Sequence, residues 1–103
     1  MSQDELIAAA GRFFSQSFDG VIRIEMIDAD YAVWVDGRER PRTVSPTPPK
    51  GLERRFCLWR LSENDIRFVL AGDEKRLDAS FVAGRLQISG DMAVMARLEL
   101  ANV

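Results

Sequence analysis

The sequence lacks histidine, and Cys57 is the only cysteine among its 103 residues. Without histidine, the chain has no Ser-His-Asp or Cys-His catalytic arrangement, no histidine-containing metal site and no histidine pH switch. One cysteine excludes an internal disulfide, and because no basic residue is nearer than Arg55, we predict that Cys57 is an unreactive, buried thiol. We therefore expect neither catalysis nor a resident metal or cofactor.

The sequence also lacks a long apolar run. A helix that crosses a bilayer needs roughly 20 consecutive apolar residues, and no stretch approaches that length. The first residues, Met1 to Glu5, are polar and acidic, whereas a secretory signal has basic residues followed by an apolar segment. The length and the 47% hydrophobic content are typical of one folded domain. We expect a single domain over residues 1–103, located in the cytoplasm.

Charge is segregated along the chain, although the net charge is only −2. All four prolines fall within residues 37–54, which predicts a long Pro/Arg-rich loop there, because proline lacks an amide donor. In and beside this loop lie six basic residues, namely Arg38, Arg40, Arg42, Lys50, Arg54 and Arg55. They either make transient contact with an anionic membrane surface, bind the phosphates of an acyl-CoA, or belong to a solvated linker. Nucleic acid is not expected as a partner, since no aromatic residue lies between the arginines.

The hydrophobic pattern predicts the order helix, three strands, two helices, strand, helix. Alternating residues indicate strands at 21–27, 31–36, 55–61 and 85–89, of which the first two form an antiparallel hairpin. Helical spacing indicates helices at about 4–16, 62–72 and 74–83, and another from Asp91 onward. Ser62 is placed to cap the second helix. This order predicts an α+β fold in which helices cover one face of a mostly antiparallel sheet.

Three local patterns, in this order and spacing, resemble the sterol carrier protein type-two domain. Residues 18–21 (FDGV) resemble the entry to that family's first strand, and residues 61–72 resemble its serine-capped apolar helix that ends at a glycine. The most specific pattern is residues 81–91 (FVAGRLQISGD), which is similar to the family's aromatic residue, glycine, basic residue, short strand and second glycine. The resemblance covers essentially all of residues 4–102.

The resemblance implies a five-stranded mixed sheet that, with its helices, encloses an apolar lipid cavity. The sequence identifies only four of the strands, and it ends at Val103 without the further C-terminal helix of some members, as in a short stand-alone member with a more open cavity. The residues expected to contact lipid are Phe14, as a lid, with Trp34, Phe81, Leu86, Ile88, Met92, Met95 and Leu98. The alternative is that these apolar side chains simply form the core.

The resemblance supports two functional hypotheses. The first is a small soluble module that binds or transfers a hydrophobic ligand, such as a fatty acid, an acyl-CoA, a phospholipid or an isoprenoid quinone, without chemistry. The second is a non-catalytic accessory subunit that docks a lipid or quinone biosynthetic enzyme. Because no nucleophile is paired with a base, we do not expect an enzyme.

Overall fold

The computed structural model describes residues 2–52 and 55–98, and these residues form an α+β fold. The elements are α1 (Gln3–Phe13), β1 (Val21–Met26), β2 (Ala32–Asp36), β3 (Thr43–Ser45), β4 (Cys57–Leu61), α2 (Glu63–Leu70), α3 (Glu74–Val82), β5 (Gln87–Gly90) and α4 (Ala93–Arg97). The sheet order is β3-β2-β1-β4-β5. Strands β1 and β4 are parallel, whereas the other neighbouring pairs are antiparallel. The predicted mixed, mostly antiparallel sheet and its first hairpin are confirmed.

Alternation along the strands determines which face of the sheet the helices cover. In β1, Ile22, Ile24 and Met26 are buried, whereas Arg23 and Glu25 are half-buried on the opposite face. The inner face continues through alternate residues of β2 and β4 and forms one core with apolar residues of the helices. Helix α1 packs against β2, β3 and α2. We call the helix-covered side the inner face and the other side the outer face.

The segment predicted as one loop at 37–54 contains the fifth strand, which the sequence prediction missed. Strand β3 pairs with β2 at the sheet edge, with Val44 opposite Val35. Pro41 and Pro46 lie outside the three paired residues, so neither interrupts the ladder. The prediction failed because it treated the proline content of the segment as a whole rather than the short proline-free stretch within it.

Two arginines of this segment bind other parts of the protein, so the segment is not a linker without contacts. The guanidinium of Arg38 binds both carboxylate oxygens of Asp36, at 2.9 and 3.0 Å. The guanidinium of Arg42 donates to the carbonyl oxygens of Gly11 and Phe14 at the end of α1. Cations at a helix C-terminus satisfy otherwise unpaired carbonyls. This contact accompanies the end of α1 at Phe13, before the predicted Gln16.

The remaining basic residues of the segment are less engaged. Arg40, Lys50 and Arg55 are exposed, and Arg54 lies outside the described residues. Among the described residues, no helix is long and apolar enough to span a membrane. Contact of this segment with a membrane surface therefore stays a prediction, for which Arg40, Lys50 and Arg55 are the available cations.

Serine side chains cap the N-termini of α1 and α2. The hydroxyl of Ser62 accepts a hydrogen bond from the amide of Asp65 at 3.1 Å, which confirms the predicted cap of α2. Ser2 caps α1 in the same way through the amide of Glu5. The last helix is much shorter than its apolar sequence suggests, because Leu98 has an extended backbone conformation and ends it.

Candidate functional site

An apolar seam lies between the inner face of the sheet and α4. The ring of Trp59 on β4 is fully buried and lies 5.5 Å from the ring of Phe14, which lies 5.9 Å from the ring of Phe18. The indole N–H of Trp59 donates to the Sδ atom of Met95 on α4 at 3.3 Å. We call Phe14, Phe18, Trp59, Val94 and Met95 the aromatic seam. Its floor is aromatic, and its cover is α4.

Helix α4 lies close to the start of β1 because Gly20 has no side chain. A Cβ atom at Gly20 would be 2.7 Å from a methyl carbon of Val94, which is fully buried. Ile88 on β5 pairs with Trp59 across the strands and extends the seam along the inner face. Leu98, at the end of α4, packs against the same core. Helix α4, which covers the seam, therefore packs against both the start of β1 and β4.

The structure brings together five of the eight residues predicted to contact lipid. Phe14 and Leu86 belong to the core, and Ile88, Met95 and Leu98 pack against it. Phe81 and Met92 lie at the surface, with 49% and 48% of their areas exposed. Trp34 lies on the outer face and does not belong to the core. The interior of the seam is filled by the protein's own side chains, since Phe14, Trp59 and Val94 are all fully buried.

Trp34 has a separate environment on the outer face. Its ring meets that of Phe56 edge-on at 4.9 Å, and the guanidinium of Arg23 lies 5.1 Å from its centre. Trp34, Pro48 and Pro49 line a cavity of about 450 Å³. Trp34 therefore does not share a site with the seam.

The pKa values of two titratable side chains of the sheet, Asp36 and Cys57, are shifted by their surroundings. Hydrogen bonds from Arg38 hold the pKa of Asp36 below its usual value, although burial of Asp36 acts in the opposite direction. Burial raises the pKa of the Cys57 thiol to about 11, and the nearby carboxylate of Asp91 adds to this. A thiol with so high a pKa is almost entirely protonated at neutral pH and is a poor nucleophile. The prediction that Cys57 is buried is confirmed.

Metal ligands are not clustered in the part of the chain that the structure describes. Among residues 2–52 and 55–98, no group of three or more Cys, Asp or Glu side chains is placed to hold an ion. The groups available at the seam are aromatic, aliphatic and thioether side chains. Such a surface can bind apolar molecules by burial and dispersion.

The predicted set of lipid-contacting residues omits four that shape this region: Phe18, Trp59, Val94 and Arg97. Trp59 could have been found from strand alternation, because Cys57, Trp59 and Leu61 fall on one face. The position of Val94 depends on Gly20, which is distant in sequence. Arg97 forms ion pairs with Asp19 and Asp91, and no local pattern indicates the contact with Asp19.

Comparison of the sequence with protein-family models gives no match, and comparison with curated proteins gives none either. Solved structures do match. One is a protein described as "UbiJ-SCP2 Ubiquinone synthesis protein", with 20% identity, a TM-score of 0.56, and coverage of 87% of this chain and 70% of that one. Another is sterol carrier protein 2 from Yarrowia lipolytica in its apo form, with 14% identity, a TM-score of 0.58, and coverage of 93% and 80%. The chain therefore has the fold of a sterol-carrier-protein-2-like domain.

Proposed function

We propose that the chain binds a hydrophobic small molecule in the aromatic seam, without chemistry, and that the ligand enters by displacing α4. The observation that supports this most directly is a fully buried aromatic floor beneath a very short cover. Helix α4 has five residues, and the side chain of its N-cap residue, Met92, makes no capping hydrogen bond. A helix of this length is not stable by itself and depends on its tertiary contacts. Movement of α4 would open the seam without disturbing the sheet.

The apolar area that the protein exposes and the area that the ligand buries together predict how long the ligand's chain must be. Displacing Val94, Met95 and Leu98 would cost on the order of 1.5–3 kcal/mol for each side chain that becomes fully exposed. An acyl chain recovers about 0.8 kcal/mol for each buried methylene. A chain of about 8 carbons therefore only offsets the displacement, whereas a chain of about 16 carbons exceeds it. We expect affinity to rise steeply with chain length between these limits.

The test is displacement of a fluorescent fatty acid by saturated fatty acids of increasing length. Quenching of Trp59 by a brominated fatty acid would locate the chain, and Trp34→Phe leaves Trp59 as the only tryptophan. Protein that binds no fatty acid of any length at micromolar concentration would refute the proposal. Quenching that disappears in Trp34→Phe would place the ligand on the outer face instead.

The displacement step has its own test, in Met95→Ala. Because Met95 holds α4 to Trp59, its loss should make displacement easier and tighten binding of a long chain by about tenfold, for a half-buried side chain. Met92→Ala is the matched control, since Met92 is exposed next to the same helix. Weaker binding in Met95→Ala would mean that Met95 contacts the ligand and that α4 stays in place.

A second candidate function is a non-catalytic accessory subunit that docks a lipid or quinone biosynthetic enzyme. The observation that favours it is the filled seam together with exposed apolar residues at the end of α3, where Phe81 and Val82 are 49% and 85% exposed. One similar structure is described as a ubiquinone synthesis protein. Co-purification with a lipid or quinone enzyme of the same cell should be lost in Phe81→Ser/Val82→Ser and kept in Ile27→Ser, another exposed position. Equal recovery from both variants would exclude this surface.

A further inference from the structure

A polar cleft of about 700 Å³ opens beside the aromatic seam. Its walls are two chain segments, one before β1 and one after β2, and α4 contributes the third side. We call it the arginine cleft, and its lining residues are Ser17, Phe18, Asp19, Gly37, Arg38, Arg40 and Arg97. Three of the seven are arginines, whereas only one is a carboxylate.

The two walls of the arginine cleft are joined by hydrogen bonds. The hydroxyl of Ser17 donates to the carbonyl of Glu39 at 2.7 Å, and the amide of Phe18 donates to the carbonyl of Gly37 at 3.0 Å. The amide of Gly37 in turn donates to the carbonyl of Gly20 at 2.9 Å. Gly37 also lies directly against the ring of Phe18, where a Cβ atom would be 2.5 Å from ring carbons. The cleft is thus a fixed shape rather than a chance gap between loops.

Two of the three guanidinium groups have donors to spare. Arg38 is engaged with Asp36, as described above. Arg97 lies 3.7 Å from the carboxylate of Asp19 and 3.9 Å from that of Asp91, which is too long for hydrogen bonds. Arg40 makes no hydrogen bond or ion pair within residues 2–52 and 55–98. The cleft therefore presents unsatisfied positive donors, for which phosphate and carboxylate groups are the matching acceptors.

We propose that the arginine cleft binds an oxyanion through Arg40 and Arg97, and that this oxyanion is the phosphate or carboxylate head group of a lipid whose chain enters the seam. The lipid part rests on the function proposed above. Two residues connect the regions: Phe18 lines the cleft and lies next to Phe14 of the seam, while Arg97 shares α4 with Met95. An oxyanion on Arg97 also replaces the ion pairs that tie α4 to Asp19 and Asp91. Head-group binding therefore favours opening of the seam.

The experiment compares dodecyl phosphate, dodecanol and inorganic phosphate as ligands of the purified protein. The variants are Arg40→Gln/Arg97→Gln and, as a control with the same charge change, Arg12→Gln/Arg85→Gln, both of whose positions are exposed. We measure the ratio of dodecyl phosphate affinity to dodecanol affinity, because this ratio cancels any effect on the docking of α4. The ratio should fall roughly tenfold in the cleft variant and stay unchanged in the control.

The results distinguish a lipid head group from a free anion as the source of the oxyanion. An arginine-dependent preference for dodecyl phosphate, with weak binding of inorganic phosphate, supports a lipid head group. Inorganic phosphate that binds as tightly as dodecyl phosphate, and is lost in the cleft variant, supports the oxyanion site with a free anion as its ligand. If dodecanol binds and the ratio of dodecyl phosphate affinity to dodecanol affinity is the same in all three proteins, the arginine cleft does not bind an oxyanion. The proposal that the seam binds an apolar chain is then unaffected. If neither dodecyl ligand binds, the seam fails, and the cleft fails too unless inorganic phosphate still binds through these arginines.

Discussion

Replacing Gly90 with alanine tests why a glycine ends β5 at the turn toward α4. Gly90 and Gly84 both have left-handed backbones, with φ of 79° and 77°. A Cβ atom at Gly90 would lie 2.5 Å from the carbonyl oxygen of Phe56, whereas at Gly84 nothing lies within 4 Å. The two alanine variants therefore share the same backbone penalty, and they differ in one close contact with a neighbouring strand.

The expected magnitudes follow from that difference. A left-handed alanine costs about 1 kcal/mol in the free energy of unfolding, which is the whole effect expected at Gly84. At Gly90 the carbonyl of Phe56 must also move, and it accepts a hydrogen bond from the amide of Asp91 at 2.9 Å. Crowding of this kind costs typically 1–3 kcal/mol, and a weakened hydrogen bond adds about 1 kcal/mol. We expect Gly90→Ala to cost about 3 kcal/mol or more.

Urea unfolding followed by circular dichroism measures both variants against the native protein. Gly51→Ala provides a second reference, because Gly51 has a φ of 71° and also faces open space. For a domain of about 100 residues, a difference of about 2 kcal/mol corresponds to roughly 8–16 °C in Tm. If Gly90→Ala and Gly84→Ala lose the same stability within about 0.5 kcal/mol, the close contact does not resist a side chain and the reasoning is wrong.

Three further predictions concern buried polar groups. Because Arg38 lowers the pKa of Asp36, the stabilisation from Asp36 is present at neutral pH and is lost as the pH falls through its folded pKa, below about 3.8. Asp36→Asn should lower the free energy of unfolding by about 1–3 kcal/mol at pH 7 and flatten the acid limb of a pH–stability curve. A curve that is the same in the variant and the native protein would contradict this. The hydroxyl of Ser80 is buried without a hydrogen-bond partner among the described residues, so Ser80→Ala should be neutral or stabilising by up to about 1 kcal/mol in urea unfolding. Cys57 should resist iodoacetamide at pH 8 in the native protein and react only in urea, since burial raises its pKa to about 11; rapid native labelling would contradict its buried position.

Local sequence patterns predicted the sheet well where each strand carries its own alternation. Strands β1, β2 and β4 all show it, and their bounds differ from the prediction by at most two residues at an end. Strand β3 has only three residues and little apolar character, so its pairing with β2 depends on partners rather than on its own sequence. The same limit applies to α4, whose mostly apolar sequence does not indicate that the helix ends at Arg97.

The candidate site was less predictable than the fold, and Trp34 shows one reason. A tryptophan in a predicted strand is a candidate to line an apolar cavity, but its place in the alternation along the strand decides which face of the sheet it lies on. Val33 and Val35 face the core, so Trp34 between them must face outward. That inference was available from the sequence, whereas the cavity that Trp34 shares with Pro48 and Pro49 was not.

Charge was the least predictable feature, because several partners of charged residues, such as those of Arg42 and Arg97, lie far away in sequence. The arginines of the proline-rich segment look alike in the sequence and differ completely in the fold. Arg42 closes the end of α1, Arg38 neutralises a buried carboxylate, and Arg40 is left with free donors. The third arginine of the cleft, Arg97, comes from the opposite end of the chain. A basic segment therefore predicts an anionic partner only after the cations that the fold itself uses have been set aside. In this protein that step leaves Arg40, Lys50 and Arg55 among the described residues, and of these Arg40 lines the arginine cleft together with Arg97.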